Sequence, residues 1–347
     1  MTGESRPPGW RSVLASYTRP NVGRSLLDIA TSLLPYLGLL VAMYVLLNIS
    51  VWLVLVVSVP AAGFLVRTYI VFHDCAHGSF LPWRKANECL GAVCGLLVFT
   101  AFVRWRHQHA VHHASSGDLD RRGVGDVLTL TVAEYVALPW RGRLGYRLVR
   151  NPLVMFGLGP IWAMMLAPRF VSHGERRRIR RSVWRTNFAL AAAIGLLCWL
   201  LGWESFLLVE MPSALLAGSV GVWLFFVQHQ FEDAYWENSS SWSYDEAALK
   251  GSSYLKLPKV LQFFTGNIGL HHVHHLSTRI PNYNLQRAHD AFPAFSQVPT
   301  LSGWDGIRCV RLKLWDERCG RLVTFRQAWA GQRAAAPADA GSAVAAS

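Results

Sequence analysis

Charge is scarce in this sequence, and negative charge is scarcer than positive. Of 347 residues only 16% are Asp, Glu, Lys or Arg, against roughly 25% in an ordinary soluble domain. Acidic residues number 21 against 34 basic ones, a formal net charge of +13. A chain so poor in charge, 52% apolar and with a mean hydropathy of +0.23, points to a membrane protein with a sizeable core. The cysteines are few and scattered. Cys75, Cys89, Cys94, Cys198, Cys309 and Cys319 form no CxxC pair. That excludes a zinc array, an iron–sulfur cluster and a disulfide framework. No GxGxxG opens a strand–helix unit, so no built-in dinucleotide site is expected. The first residues show no short apolar core followed by small residues, and no removable signal peptide is expected.

The basic surplus, mostly arginine, has three readings: loops retained in the cytoplasm, anionic lipid headgroups, or an acidic protein partner. Nucleic acid is excluded as a partner, because the arginines flank apolar segments and no nucleic-acid motif accompanies them.

Long apolar runs are what the sequence does have. Two come early, at about 31–48 and 51–72, and each meets the roughly 20 apolar residues that cross a bilayer as a helix. Only Ile49-Ser50 separates them, which predicts a hairpin. The Asn48-Ile49-Ser50 sequon reads as its polar turn. A second hairpin is expected at about 188–203 and 206–228, turning at Glu204-Ser205. The run Glu175-Arg176-Arg177-Arg178-Ile179-Arg180-Arg181 precedes it and belongs in the cytoplasm by the positive-inside rule. Both hairpins then begin and end there, with both termini cytoplasmic, and Arg67 can snorkel to the interface. Two weaker segments, 90–103 and 153–166, are short for spans. If both crossed, the arginine-rich stretch 104–151 would lie outside, so they read as interfacial or re-entrant. The expected fold is an all-α integral membrane protein with four transmembrane helices in two hairpins, interfacial helices and a cytosolic helical cap. Residues 1–30 form a cytosolic segment, 31–333 one membrane domain, and 334–347 a disordered tail rich in Ala.

Thirteen histidines remain, eight of them in three compact groups. These are His73 and His77; His109, His112 and His113; and His271, His274 and His275. Residues three and four apart share a helix face, so each group can offer two or three imidazoles to one place. Neutral imidazole binds Fe, Zn, Cu and Ni. Eight ligands are too many for one ion, so two metals are the natural count. All three groups fall on the cytosolic side of the expected topology. An isolated HxxxH is usually surface or core; three such groups on one side of a membrane are a metal site.

With these residues in place, the sequence resembles the membrane fatty acid desaturases, whose histidine boxes run HxxxH, HxxHH and HxxHH. The resemblance covers about 72–315. It extends to Trp105-Arg106-His107-Gln108-His109, Gly117-Asp118-Leu119-Asp120-Arg121-Arg122-Gly123, Gly125-Asp126-Val127, Gln228-His229-Gln230-Phe231-Glu232-Asp233, Gly251-Ser252-Ser253-Tyr254, and the stretch from Gly266-Asn267-Ile268-Gly269 to Pro281-Asn282-Tyr283. These look most like bacterial acyl-lipid desaturases of the Bacillus delta-5 type. The resemblance implies a non-haem diiron centre, O2 as co-substrate, a membrane lipid acyl chain as substrate and a separate, ferredoxin-like electron donor. It makes the eight box histidines ligands and adds His229, at the end of the last span, as a ninth. It also implies a departure. Animal acyl-CoA desaturases carry an Asn, holding a water, one turn before that histidine, and this chain has Phe225. Their first box is also longer. Both differences favour an acyl-lipid substrate. Asp74, Asp118, Asp120 and Asp126 are candidates to orient ligand imidazoles, as are His107 and His272; His173, His289 and Cys75 read as structural.

Two rivals stand beside this reading. A lipid hydroxylase or ketolase would use the same boxes. A metal transporter would need ionisable residues along its spans, and the four spans carry only Arg67 and Glu210 near their ends.

Overall fold

The computed structural model of the protein describes residues 9–335. The Ala-rich tail expected at 334–347 lies outside the described residues, save that the last helix runs to Ala335. Helix α1 (Trp10–Ala15) precedes the first hairpin, α2 (Val22–Leu47) and α3 (Val51–His77). The Asn21 side chain caps α2 by accepting from the Arg24 N–H, and Ser50 caps α3 by accepting from Trp52. At the turn Asn48 donates to the carbonyls of Tyr44 and Val45. Such helices are the natural form of an apolar run in lipid, where every backbone polar group needs an internal partner. Gly78, at φ 68°, stops α3 immediately after His77 in a left-handed conformation that costs glycine nothing.

Helices α4 (Arg84–Leu97) and α5 (Phe102–Ser115) follow, bent by 100° where they meet. Fourteen residues each make about 21 Å of helix, too short for a core of about 30 Å. Phe99 takes φ 54° at the bend. Two glycines permit the close approach. A Cβ on Gly91 would stand 2.1 Å from the Phe102 ring, and one on Gly95 would stand 2.6 Å from the Thr100 carbonyl oxygen. The chain leaves the end of α3 and comes back to it, because histidines of α5 meet those of α3.

Next come α6 (Val132–Ala137), α7 (Trp140–Val149) and two π-helical turns, Val154–Leu158 and Ile161–Leu166. The stretch after α7 is bent from it by 59° and lies on the last long helix. The second hairpin is α8 (Arg177–Leu201) and α9 (Trp203–His229), joined through Gly202. These four helices are apolar and long enough to cross a membrane. Their lipid side is evident from Phe188 and Trp199, each 79% exposed, and Trp52, 74% exposed. Bare aromatic surface on this scale suits lipid rather than water.

Two helices begin earlier than their apolar runs predict. The start of α2 moves from 31 to Val22, and that of α8 from 188 to Arg177. Apolar content marks where lipid begins, whereas the helix continues past it until a cap intervenes. Asp28 therefore lies within α2, where the expected boundary had excluded it, and it pairs with Arg67 of α3, both side chains largely buried.

The cap is mostly helical: α10 (Tyr244–Lys250), α11 (Lys259–Phe264), α12 (His271–Leu276), α13 (Asn282–Asp290), α14 (Gly303–Cys309) and α15 (Phe325–Ala335). Five short strands also occur, which the all-α expectation misses. Strand β1 (Leu130–Thr131) pairs parallel with β4 (Leu314–Asp316), which pairs antiparallel with β5 (Arg321–Val323). Strand β2 (Tyr254–Lys256) pairs parallel with β3 (Thr300–Ser302). Runs of two or three residues carry no readable alternation. The segment 1–30 is not a free arm over its described part: Trp10 and Leu14 of α1 pack in one core with Ile70, Val273 and Ile280.

Candidate metal centre

Four elements bring their histidines to one place. The last turns of α3 carry His73 and His77, the end of α5 carries His109, His112 and His113, α12 carries His271, His274 and His275, and α9 ends on His229. At 27 residues, α3 and α9 are each about 40 Å long. They outrun a hydrocarbon core of about 30 Å, so their final turns can raise the histidines clear of it.

The side chains sort into two groups, and the ligand atoms of each lie within 4.8 Å of one another. The first group is His73, His77, His109, His113 and His274; the second is His112, His229, His271 and His275. In the first, Nε2 of His109 lies 3.0 Å from that of His73 and 3.1 Å from that of His113, which is 3.0 Å from that of His274. In the second, Nε2 of His229 lies 3.2 Å from that of His112 and 3.0 Å from that of His271. All nine predicted ligands converge. The sequence reading is corrected in one respect. A box does not serve a single point: the i, i+4 pairs His109/His113 and His271/His275 each stay together, while the i+3 residues His112 and His274 join the other group. Adjacent helix positions such as His112 and His113 diverge by about 100°, so each of the two helices feeds both groups.

The outward ring nitrogens show what the inward ones can do. Nδ1 of His73 lies 3.1 Å from Asp74 Oδ1, and Nδ1 of His112 meets Asp126 Oδ1. Nδ1 of His229 lies 3.0 Å from the Gly251 carbonyl oxygen. Carboxylates and carbonyls accept, so each Nδ1 carries the proton and each Nε2 presents a bare lone pair. His112 and His229 then face each other with two lone pairs at 3.2 Å, an arrangement that calls for a cation between them. Burial also pushes the rings of His109, His113, His271, His274 and His275 well below the usual 6.5, which favours neutral, ligating imidazole. Nitrogen-rich sets of four and five donors suit iron and other imidazole-binding transition metals.

Of the orienting candidates, Asp74 and Asp126 touch ligands. Asp118 instead accepts from Arg121 Nε at 2.6 Å and from Ser239 Oγ at 2.9 Å, and Asp120 accepts from the Ser239 N–H at 2.8 Å. Both tie down the loop after α9. His107 is exposed, and His272 pairs with His289 at 3.0 Å rather than with a ligand. His173 is exposed, and Cys75 is buried in the apolar core. The sequence reading missed the Gly251 carbonyl and Trp105, whose ring stacks on His109 at 4.3 Å; only the resemblance had marked their segments. Phe225 stands 5.0 Å from the His112 ring and 5.5 Å from that of His229, in the place one turn before the ninth ligand.

Residues 50–301 match the model of the family described as fatty acid desaturase. The chain belongs to the fatty acid desaturase family. It is thus an oxidoreductase acting on fatty acyl chains. A fatty acid desaturase of Bacillus subtilis (strain 168) is 45% identical over 313 residues, 90% of this chain and 89% of that one. The sn-1 oleoyl-lipid 12-desaturase of Synechocystis sp. (strain ATCC 27184 / PCC 6803 / Kazusa) is 26% identical, covering 65% of this desaturase and 64% of its own length. From the same organism, the sn-1 acyl-lipid omega-3 desaturase (ferredoxin) is 28% identical, covering 64% and 62%. The four apolar helices agree with a membrane-bound desaturase.

Proposed function

We propose that the nine histidines hold two irons and that the desaturase uses them on an acyl chain of a membrane glycerolipid, at the cytoplasmic face of the cell membrane. The observation that carries the metal reading is the opposed pair of Nε2 lone pairs on His112 and His229, with both tautomers fixed from behind. When bound, a pair of irons supplies the power to reduce O2, with two external electrons, while two hydrogens leave neighbouring methylenes and a double bond and water result. No side-chain acid or base can do this alone.

The protein's own share is positional. Asp74, Asp126 and the Gly251 carbonyl hold protons on Nδ1 of His73, His112 and His229, which keeps the inner nitrogens free to bind. Trp105, stacked on His109, and Phe225, 5.0 Å from His112, present apolar surface on the two flanks of the histidines, which suits the exclusion of water from the reacting methylenes. The names of the cyanobacterial relatives support lipid-bound acyl chains as substrate, and one supports ferredoxin as the donor. The arginine run at the start of α8 supports a cytoplasmic centre.

The test is gas chromatography–mass spectrometry of fatty acids from a bacterial host expressing the chain with a ferredoxin system, after derivatisation that locates double bonds. A new unsaturated chain, absent with His109→Ala, is expected. An oxygenated chain would instead make the enzyme a hydroxylase or ketolase on the same centre.

A further inference from the structure

We infer that a polar seam on α2, built around the buried Asp28–Arg67 ion pair, positions the His73 imidazole through Asn282 and Asp74. This rests on the diiron reading above. None of the four belongs to the ligand set, yet all are buried: Asp28 and Arg67 are each 8% exposed, Asn282 2% and Asp74 1%. Charges inside membrane helices are costly and are retained for a use, and an apolar pair would pack there at least as well.

The connections run in one direction. Arg67 donates to Asp28 and to the Phe263 carbonyl, and its guanidinium lies 4.1 Å above the Phe263 ring. Asp28 stands three residues after Ser25 on the same face of α2; Ser25 Oγ lies 3.2 Å from the hydroxyl of Tyr283, which follows Asn282, the first residue of α13. Asn282 grips Asp74 twice: its backbone N–H and its Nδ2 donate to Oδ2 at 2.6 and 3.0 Å. The other oxygen, Oδ1, is left for His73 Nδ1. Each oxygen of Asp74 is therefore committed, one to the ligand and one to α13.

Further contacts fix the same joint. The Tyr283 hydroxyl accepts from the Asn21 N–H at 2.9 Å and lies 3.2 Å from Ser25 Oγ, which also donates to the Phe80 carbonyl at 2.6 Å. Asn21, Ser25, Asp28 and Ser32 recur at intervals of four and three, one face of α2. That face locks α2, the end of α3 and the start of α13 together, with Asp74 at the junction. If Asn282 swings away, Asp74 can turn, and the His73 ring loses its hold on the first group.

Full-length protein is loaded with 57Fe, its iron counted per chain and its Mössbauer spectrum recorded. Asp28→Asn and Asn282→Ala are compared with Asp28→Glu. The wild type is expected to hold two irons giving two components of equal area. In Asp28→Asn and Asn282→Ala one component broadens or disappears while the other persists, kcat falls at least tenfold and KM stays within twofold. Asp28→Glu restores both components. If Asp28→Asn fails to fold, the charge-free Asp28→Leu/Arg67→Met protein replaces it, and the same loss of one component is expected. Variants that melt earlier yet retain both components unchanged would overturn the inference and reduce the seam to helix docking. Wild-type protein without iron would overturn the diiron reading, and the inference with it.

Discussion

At the scale of the residue, the centre depends on which ring nitrogen holds a proton. Removing the carboxylate behind His112 frees that ring to invert. Asp126→Ala is accordingly expected to weaken iron binding by about 10- to 100-fold, as measured by chelator competition. The same logic gives a pH dependence. Rings whose pKa burial has lowered below 6.5 contribute stability that is complete above the unfolded value and lost as pH falls through the folded one. Several rings protonate together, so iron retention should fall with a slope of more than one proton below about pH 6.5; iron counted after equilibration between pH 5 and 8 checks this. The box histidines were legible because helical spacing makes them neighbours within one stretch. His229 was legible only by resemblance, since one histidine at a helix end has no pattern. Asn282 was invisible as a partner: it lies 208 residues from Asp74, and nothing local ties the two.

At the scale of the element, the bend between α4 and α5 decides whether the second box reaches the first. Gly95→Val would push a side chain against the Thr100 carbonyl, a fixed backbone atom. Overpacking of this kind costs about 1–3 kcal/mol, so the variant should melt several degrees earlier in detergent, measured by tryptophan fluorescence, and retain less iron. The sequence predicts that the weak segments 90–103 and 153–166 do not cross, because length is a hard limit for a span and loop arginines are a second constraint. It does not show the five strands or the docking of α1, for these depend on pairing partners far away in the chain. It also understates α2 and α8, whose polar first turns are helical for want of any stop.

At the scale of the whole molecule, the turn at Asn48 and the β4–β5 hairpin at Cys319 should lie on opposite sides of the bilayer. Both positions are exposed. In intact cells an impermeant maleimide should label Asn48→Cys but reach the native Cys319 only after permeabilisation; the reverse pattern would invert the orientation. The overhang of α3 and α9 has a further consequence. If the histidines stand above the hydrocarbon layer, an acyl chain cannot be oxidised where it ordinarily lies. The enzyme then has to act as an extractor, drawing a lipid tail upward out of its neighbours before any bond is broken. Each methylene left in contact with water on that journey would cost about 0.8 kcal/mol, so the route must be dry along its whole length. Turnover is then governed by how tightly the surrounding lipids hold their tails as well as by the metals, and a loosely packed membrane surrenders its chains more readily than a stiff one.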